Sequence, residues 1–201
     1  MGRTSDARER LIDTAVGLIR ARSYASVSVD DLCRNAGVRK GSFYHFFPSK
    51  RDLALAALDA WWAGTRSEVL EPAFLPDVPP LERIERAFQR SVGQQARNKE
   101  RSGRFLGCPF GNLALELAAQ DEPMRLRLEA TFASFAGYFE RALAEARDAG
   151  QVAPDTDVKL TAQALLAYLY GAILLAKTAD DVAVMERLAT RALSLVSAPR
   201  P

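Results

Sequence analysis

The chain is poor in the residues from which most reactive sites are built. One histidine, His45, stands in 201 residues, which argues against a histidine-rich metal site and a serine–histidine triad. Two cysteines, Cys33 and Cys108, are too few for a disulfide framework, so a reducing cytoplasm is the expected setting. β-Branched residues are sparse beside alanine and leucine, and the alternation in Val27-Ser28-Val29 is too short for a strand. No apolar stretch follows the polar start Met1 to Glu9, so no secretory signal is expected. The longest uncharged run, Leu160 to Ala176, is shorter than the roughly 20 residues of a spanning helix. It also contains Thr161, Gln163, Tyr168 and Tyr170, so the expectation is a soluble chain with no membrane partner. No cofactor, catalytic residue or metal site is expected.

What is present is ordinary in bulk and uneven in distribution. Hydrophobic residues make up 48% and charged residues 26%, the balance of a folded chain with a sizeable core. Formal net charge is only +2. Residues 1–52 carry ten basic side chains against six acidic, a net +4, which leaves the rest at −2. A small basic head on a slightly acidic body points to a polyanion partner for the head alone.

Periodicity predicts helices throughout. A first opens at Ser5 or Asp6, with Glu9 completing a capping box, and carries the stripe Leu11, Ile12, Ala15, Val16, Ile19. Ser28 and Asp31 start a second, which Gly37 closes; a third, short helix runs from about Arg39 to Phe47, before Pro48. Ser49 caps a longer fourth that passes Trp61 and Trp62. Four prolines between Glu71 and Pro80 predict a loop. Further helices are expected over Leu81 to Gln95, around Leu113 and Leu117, from Asp121 to Gly150, over Asp157 to Thr178, and over Asp181 to Ser197.

Two short helices joined at a glycine, the second of them basic, read as a helix-turn-helix. Phe43 and Phe47 share one face and, with Val38, are placed to pack on Leu32 and Ala36. Arg39, Lys40, Ser42, Tyr44 and His45 then face outward: cations for phosphate or guanine, hydroxyl and imidazole for base edges. Gly41 admits close backbone approach, and Ser49-Lys50 offers a helix N-terminus and a lysine to a phosphate.

The run Ser28-Val29-Asp30-Asp31-Leu32-Cys33, then Ala36-Gly37-Val38-Arg39-Lys40-Gly41-Ser42-Phe43-Tyr44, then Phe47-Pro48-Ser49-Lys50 and Leu53, resembles the TetR family of transcriptional regulators. The resemblance implies an all-α, nine-helix homodimer, with a DNA-binding domain over residues 1–52 and a ligand-binding, dimerising body over 53–201. It implies Tyr44 and Lys50 on phosphates, Lys40 at the groove, Ser42 and His45 among the base readers, and Ser28 at the interface. Double-stranded DNA with a palindromic operator is the expected partner, and a small-molecule effector the expected releasing agent.

Within the body, Trp61, Trp62, Phe105, Phe110, Phe132, Phe135 and Tyr168 are candidates to line an effector cavity or simply to fill the core. Asn112 and Glu116 lie one helical turn apart. They either orient a polar ligand or, respectively, cap the helix and face solvent. Cys108, between Gly107 and Pro109, is either a buried inert thiol or a sensor of electrophiles. Its loop is similar to that of a TetR subgroup responding to reactive carbonyl, quinone or acrylate-like compounds. The apolar run Leu160 to Ala176 and the stripe Met185, Leu188, Ala192, Leu195 are expected to form a four-helix dimer interface. The alternatives are an architectural DNA-binding protein without an effector, or a small helical enzyme using Glu116 and Asp121, which no nucleophile–base constellation supports.

Overall fold

The computed structural model describes residues 2–196, with side chains from Asp6 onward. Nine helices and no strand occur among them. They are α1 (Gly2–Ala21), α2 (Val29–Ala36), α3 (Lys40–Phe46), α4 (Lys50–Thr65), α5 (Pro80–Ser102), α6 (Pro109–Leu117), α7 (Glu122–Asp148), α8 (Val158–Ala179) and α9 (Val182–Ala189). The chain forms two compact units, Met1–Gly64 with Cys108–Leu128, and Thr65–Gly107 with Glu129–Pro201.

In the first unit the stripe on α1 closes over α2 and α3. Leu11, Ala15, Leu32, Phe43, Leu53, Leu58, Phe110 and Met124 are all 2% exposed or less. Burying a leucine or phenylalanine side chain contributes about 1.5–3 kcal/mol, so these residues are a large part of the unit's cohesion. α1 starts at Gly2, earlier than the Ser5–Asp6 signal. The side chain of Ser5 lies outside the described residues, and Asp6 pairs with Arg10 at 2.6 Å.

In the second unit, rings from α5 and α7 make the core: Phe88 stacks on Phe139 at 5.9 Å, and Phe135 meets Phe139 at 5.6 Å. Leu165 and Leu169 of α8 and Met185 of α9 complete it. Arg83 is buried there because its guanidinium is fully used, donating to the carbonyls of Val78 and Pro76 and to Glu145. Leu160, Leu174 and Leu175 of α8 are more than half exposed on the single chain, while the opposite face, with Leu165 and Ala176, is buried. α8 is long and apolar enough to cross a membrane by length and composition alone, and one of its faces is buried in this chain.

Three further boundaries differ from the sequence pattern. The expected loop after Glu71 begins later, because α4 runs on through a π-helical turn, Arg66–Leu70, into a helical turn Glu71–Ala73. Pro72 has no N–H for the fourth carbonyl back, and its ring crowds that carbonyl. Widening the preceding turn, so that Glu71 N–H donates to Arg66 O, accommodates it. α5 outruns its apolar stripe by two turns of good helix formers and stops only at Gly103, φ 73°. The last helix is shorter than expected. Thr190 and Ser194 hydroxyls bond back to the carbonyls of Arg187 and Arg191, a 3₁₀ turn Ala192–Leu195 follows, and Ser197 lies outside the described residues.

Candidate functional site

The helix-turn-helix is specified locally. Ser28 Oγ accepts the Asp31 N–H at 3.0 Å, and the Asp31 carboxylate accepts the Ser28 N–H, closing the capping box of α2. Gly37 ends α2 at φ 63°, with Val38 N–H donating to Cys33 O at 2.9 Å. The chain turns without a side-chain penalty and delivers α3 at once. Phe43 is fully buried and Phe47 4% exposed, which fixes the roll of α3 about its axis.

That roll leaves Arg39, Lys40, Gly41, Ser42, Tyr44 and His45 exposed together. Tyr44 is 51% exposed, its ring edge-on to Phe43 at 5.1 Å, so the phenol is braced and its hydroxyl is presented outward. His45 rests edge-on against Phe46 at 4.9 Å. Lys40 Nζ lies 2.9 Å from Asp30, whose hydrogen bond holds the ammonium above its usual pKa. Arg39 precedes the first turn of α3 and makes no side-chain cap bond. A short helix with two cations, a serine, a phenol and an imidazole on one open face has the donors and acceptors that a major groove requires.

Two residues expected at DNA are engaged inside the protein. The Ser28 hydroxyl serves the capping box. Lys50 turns inward: Nζ donates to the carbonyls of Tyr24 and Val27, both at 2.9 Å, and sits 4.0 Å from the Tyr24 ring centre. Burial pushes its pKa down and Glu116 draws it back up. Glu116 likewise takes a role that neither reading of the sequence gave it. Its carboxylate accepts the N–H groups of Tyr24 and Ala25, each at 2.8 Å. Asn112 is not the cap of α6; Cys108 is, in an extended conformation with φ −100°.

The remaining candidates fall in both compact units. In the first, Arg20 lies over Trp61 at 4.7 Å, Trp62 is edge-on to Phe110 at 6.2 Å, and Cys108 is 8% exposed. Burial lowers the Arg20 pKa. In the second, Phe105 is 4% exposed, Phe132 meets Tyr170 at 5.0 Å, and Phe135 packs on Phe139. The Tyr168 hydroxyl donates to Leu188 O at 2.9 Å, so that group is already satisfied. Sequence reasoning missed the buried polar groups of this unit. Thr65 and Gln95 are more than nine-tenths buried, and Thr65 Oγ1 and Asn98 Nδ2 make no hydrogen bond among the described residues. Their signal was available, since each is polar on an inward helical position.

Comparison with known proteins agrees with this geometry. Residues 11–57 match the family described as "Bacterial regulatory proteins, tetR family", and residues 80–192 match "Tetracyclin repressor-like, C-terminal domain". The transcriptional regulator AcuR of Cereibacter sphaeroides is 33% identical over 172 residues, covering 85% of this chain and 76% of that protein. The repressor NemR of Escherichia coli is 25% identical over 194 residues, 96% of each chain. Among solved structures, a regulatory protein TetR from Rhodobacter sphaeroides superposes with a TM-score of 0.84 at 28% identity, covering 94% of this chain and 98% of that one. The reduced form of E. coli NemR gives a TM-score of 0.79 at 25% identity, over 97% and 100%. The chain belongs to the TetR family: it is a ligand-responsive, dimeric DNA-binding repressor of transcription and not an enzyme.

Proposed function

We propose that this regulator represses from a palindromic operator and is released by a small thiol-reactive electrophile that Cys108 captures. Residues 1–52 read the DNA and residues 53–201 hold the effector and dimerise. The exposed leucines of α8, with Leu195, supply a dimer contact that places two heads on successive major grooves, roughly 34–36 Å apart.

The observation that carries the effector reading is the position of Cys108. It stands at the N-terminus of α6, where the helix dipole favours an anion. Among the relatives, the E. coli NemR structure is of a reduced form. With an α,β-unsaturated carbonyl, the Cys108 sulfur bonds to the β carbon as the C=C π pair moves to the α carbon, which takes a proton from solvent. The adduct needs room that a nearly buried thiol does not have, so it favours a conformation other than the one that binds operator.

The test uses a duplex selected by the wild-type protein from a random pool, with fluorescence anisotropy as readout. Acrolein is expected to release the wild type and to leave Cys108→Ser bound. Equal release of both would overturn the electrophile reading, while selection of a non-palindromic duplex would overturn the operator reading.

A further inference from the structure

The segment between α1 and α2 is held from two sides by opposite charges. Its backbone N–H groups at Tyr24 and Ala25 point to the two oxygens of Glu116, each at 2.8 Å. Its carbonyls at Tyr24 and Val27 point to the ammonium of Lys50, each at 2.9 Å, and the Tyr24 ring lies across that ammonium. Four backbone groups of a short connection are thus met by one acid from α6 and one base from α4, the Tyr24 carbonyl accepting the Val27 N–H at 3.2 Å as well. Arg51 with Asp121, at 2.7 Å, fastens the start of α4 to the start of α7 beside the same place. The connection leads within three residues to the Ser28 cap of α2, so whatever fixes Tyr24 and Ala25 fixes where the helix-turn-helix begins.

We propose that Glu116 is a positioning residue for operator binding: acting through the Tyr24 and Ala25 amides, it sets the seat of the helix-turn-helix on α6. A carboxylate suits this work better than a neutral side chain. It offers two acceptor oxygens to two adjacent donors, and a charge-assisted bond to a backbone N–H is about twice as strong as a neutral one. The ammonium of Lys50 closes the clamp from the other side. The assignment stands on the DNA-binding reading of the fold and is independent of what Cys108 does.

The test replaces Glu116 by glutamine in the full-length protein. One acceptor oxygen becomes an NH2 group facing an N–H, so one amide loses its partner. Hydrogen exchange at the Tyr24 and Ala25 amides is expected to quicken about tenfold, the scale of one lost charge-assisted hydrogen bond. Affinity for the selected duplex is expected to fall about tenfold by the same measure, with weakened discrimination against duplexes whose half-site spacing differs by one base pair. A purely structural cap would lower the melting temperature and leave affinity and spacing preference, measured well below it, unchanged; that result overturns the proposal. So does unchanged amide exchange. Should Glu116→Gln fail to fold by circular dichroism, Glu116→Asp, which keeps the charge and loses the reach, is read by the same two measurements. Substitution of the exposed neighbour Leu115 by glutamine serves as the control and should move neither.

Discussion

The ammonium of Lys40 lies 2.9 Å from the carboxylate of Asp30, an ion pair that ties the first turn of α3 to the first turn of α2. Both groups are more than half exposed, so the pair adds little to stability. Its consequence is for the groove: on the proposal that Lys40 faces DNA, a carboxylate beside it cancels part of the charge that phosphates would meet. Asp30→Asn is therefore expected to raise operator affinity about three- to tenfold at low salt, with the gain shrinking as salt approaches roughly 0.2 M. Anisotropy titrations over a salt series measure it, and equal affinity at low salt would show that Lys40 does not face the DNA.

Lys40 and Lys50 should also part company in salt dependence. Lys40 is exposed on α3, whereas Lys50 is turned into the Tyr24–Val27 connection. Removing a phosphate-contacting cation lowers the slope of log K against log salt by about 1. Lys40→Ala is expected to show that change. Lys50→Ala is expected to keep the wild-type slope and instead to lose about 1–3 kcal/mol of stability, because the Val27 carbonyl loses its ammonium donor and the Tyr24 carbonyl keeps only the Val27 N–H. A slope change at Lys50 would mean that its side chain swings out to the backbone of DNA, as the family resemblance implies.

The contrast between these lysines shows which features the sequence expresses. The helix-turn-helix was legible because its determinants are local: a serine three residues before an aspartate, a glycine at a helix end, two phenylalanines four apart. Each acts within one turn of chain, so spacing alone places it. Glu116 meets Tyr24 across a separation of 92 residues, and Arg51 meets Asp121 across 70. No periodicity encodes such a pairing, and a carboxylate at a half-buried helical position reads equally as solvated or as ligand-facing. The π turn before Pro72 was hidden for another reason, since proline signals only that the regular ladder fails. Helix α8 announced an excess of apolar surface, and its exposed Leu174 and Leu175 are that excess.

Gly37 offers a sharp test of the turn. Its φ of 63° is in the left-handed region, and a Cβ added there would meet nothing within 4 Å. The cost of Gly37→Ala is then a backbone cost alone, about 1 kcal/mol in urea unfolding. Gly37→Asn is expected to lose less, since asparagine adopts this conformation more readily than alanine. Equal losses for the two would point to a contact with the side chain rather than to backbone strain.

Asp180 supplies a pH dependence whose sign is fixed by its partners. It ends α8 at φ 48°, its carboxylate accepts the Phe105 N–H at 2.6 Å, and Lys99 Nζ lies 3.6 Å away. The Phe105 hydrogen bond first, and the charges of Lys99 and Arg104 after it, hold the Asp180 carboxyl below the usual range. A folded-state pKa below the unfolded one means that the unfolded chain binds the proton first. The stabilisation is therefore complete above the ordinary aspartate value near 4, and is lost as pH falls through the lower folded-state value. Asp180→Asn tolerates the left-handed backbone and keeps an oxygen for the Phe105 amide, but it does not titrate. The gap in urea midpoint between wild type and Asp180→Asn is expected to be constant from about pH 5 to 8 and to narrow as pH falls below the ordinary aspartate value. A gap that persists unchanged into acid would show that it does not arise from the Asp180 charge.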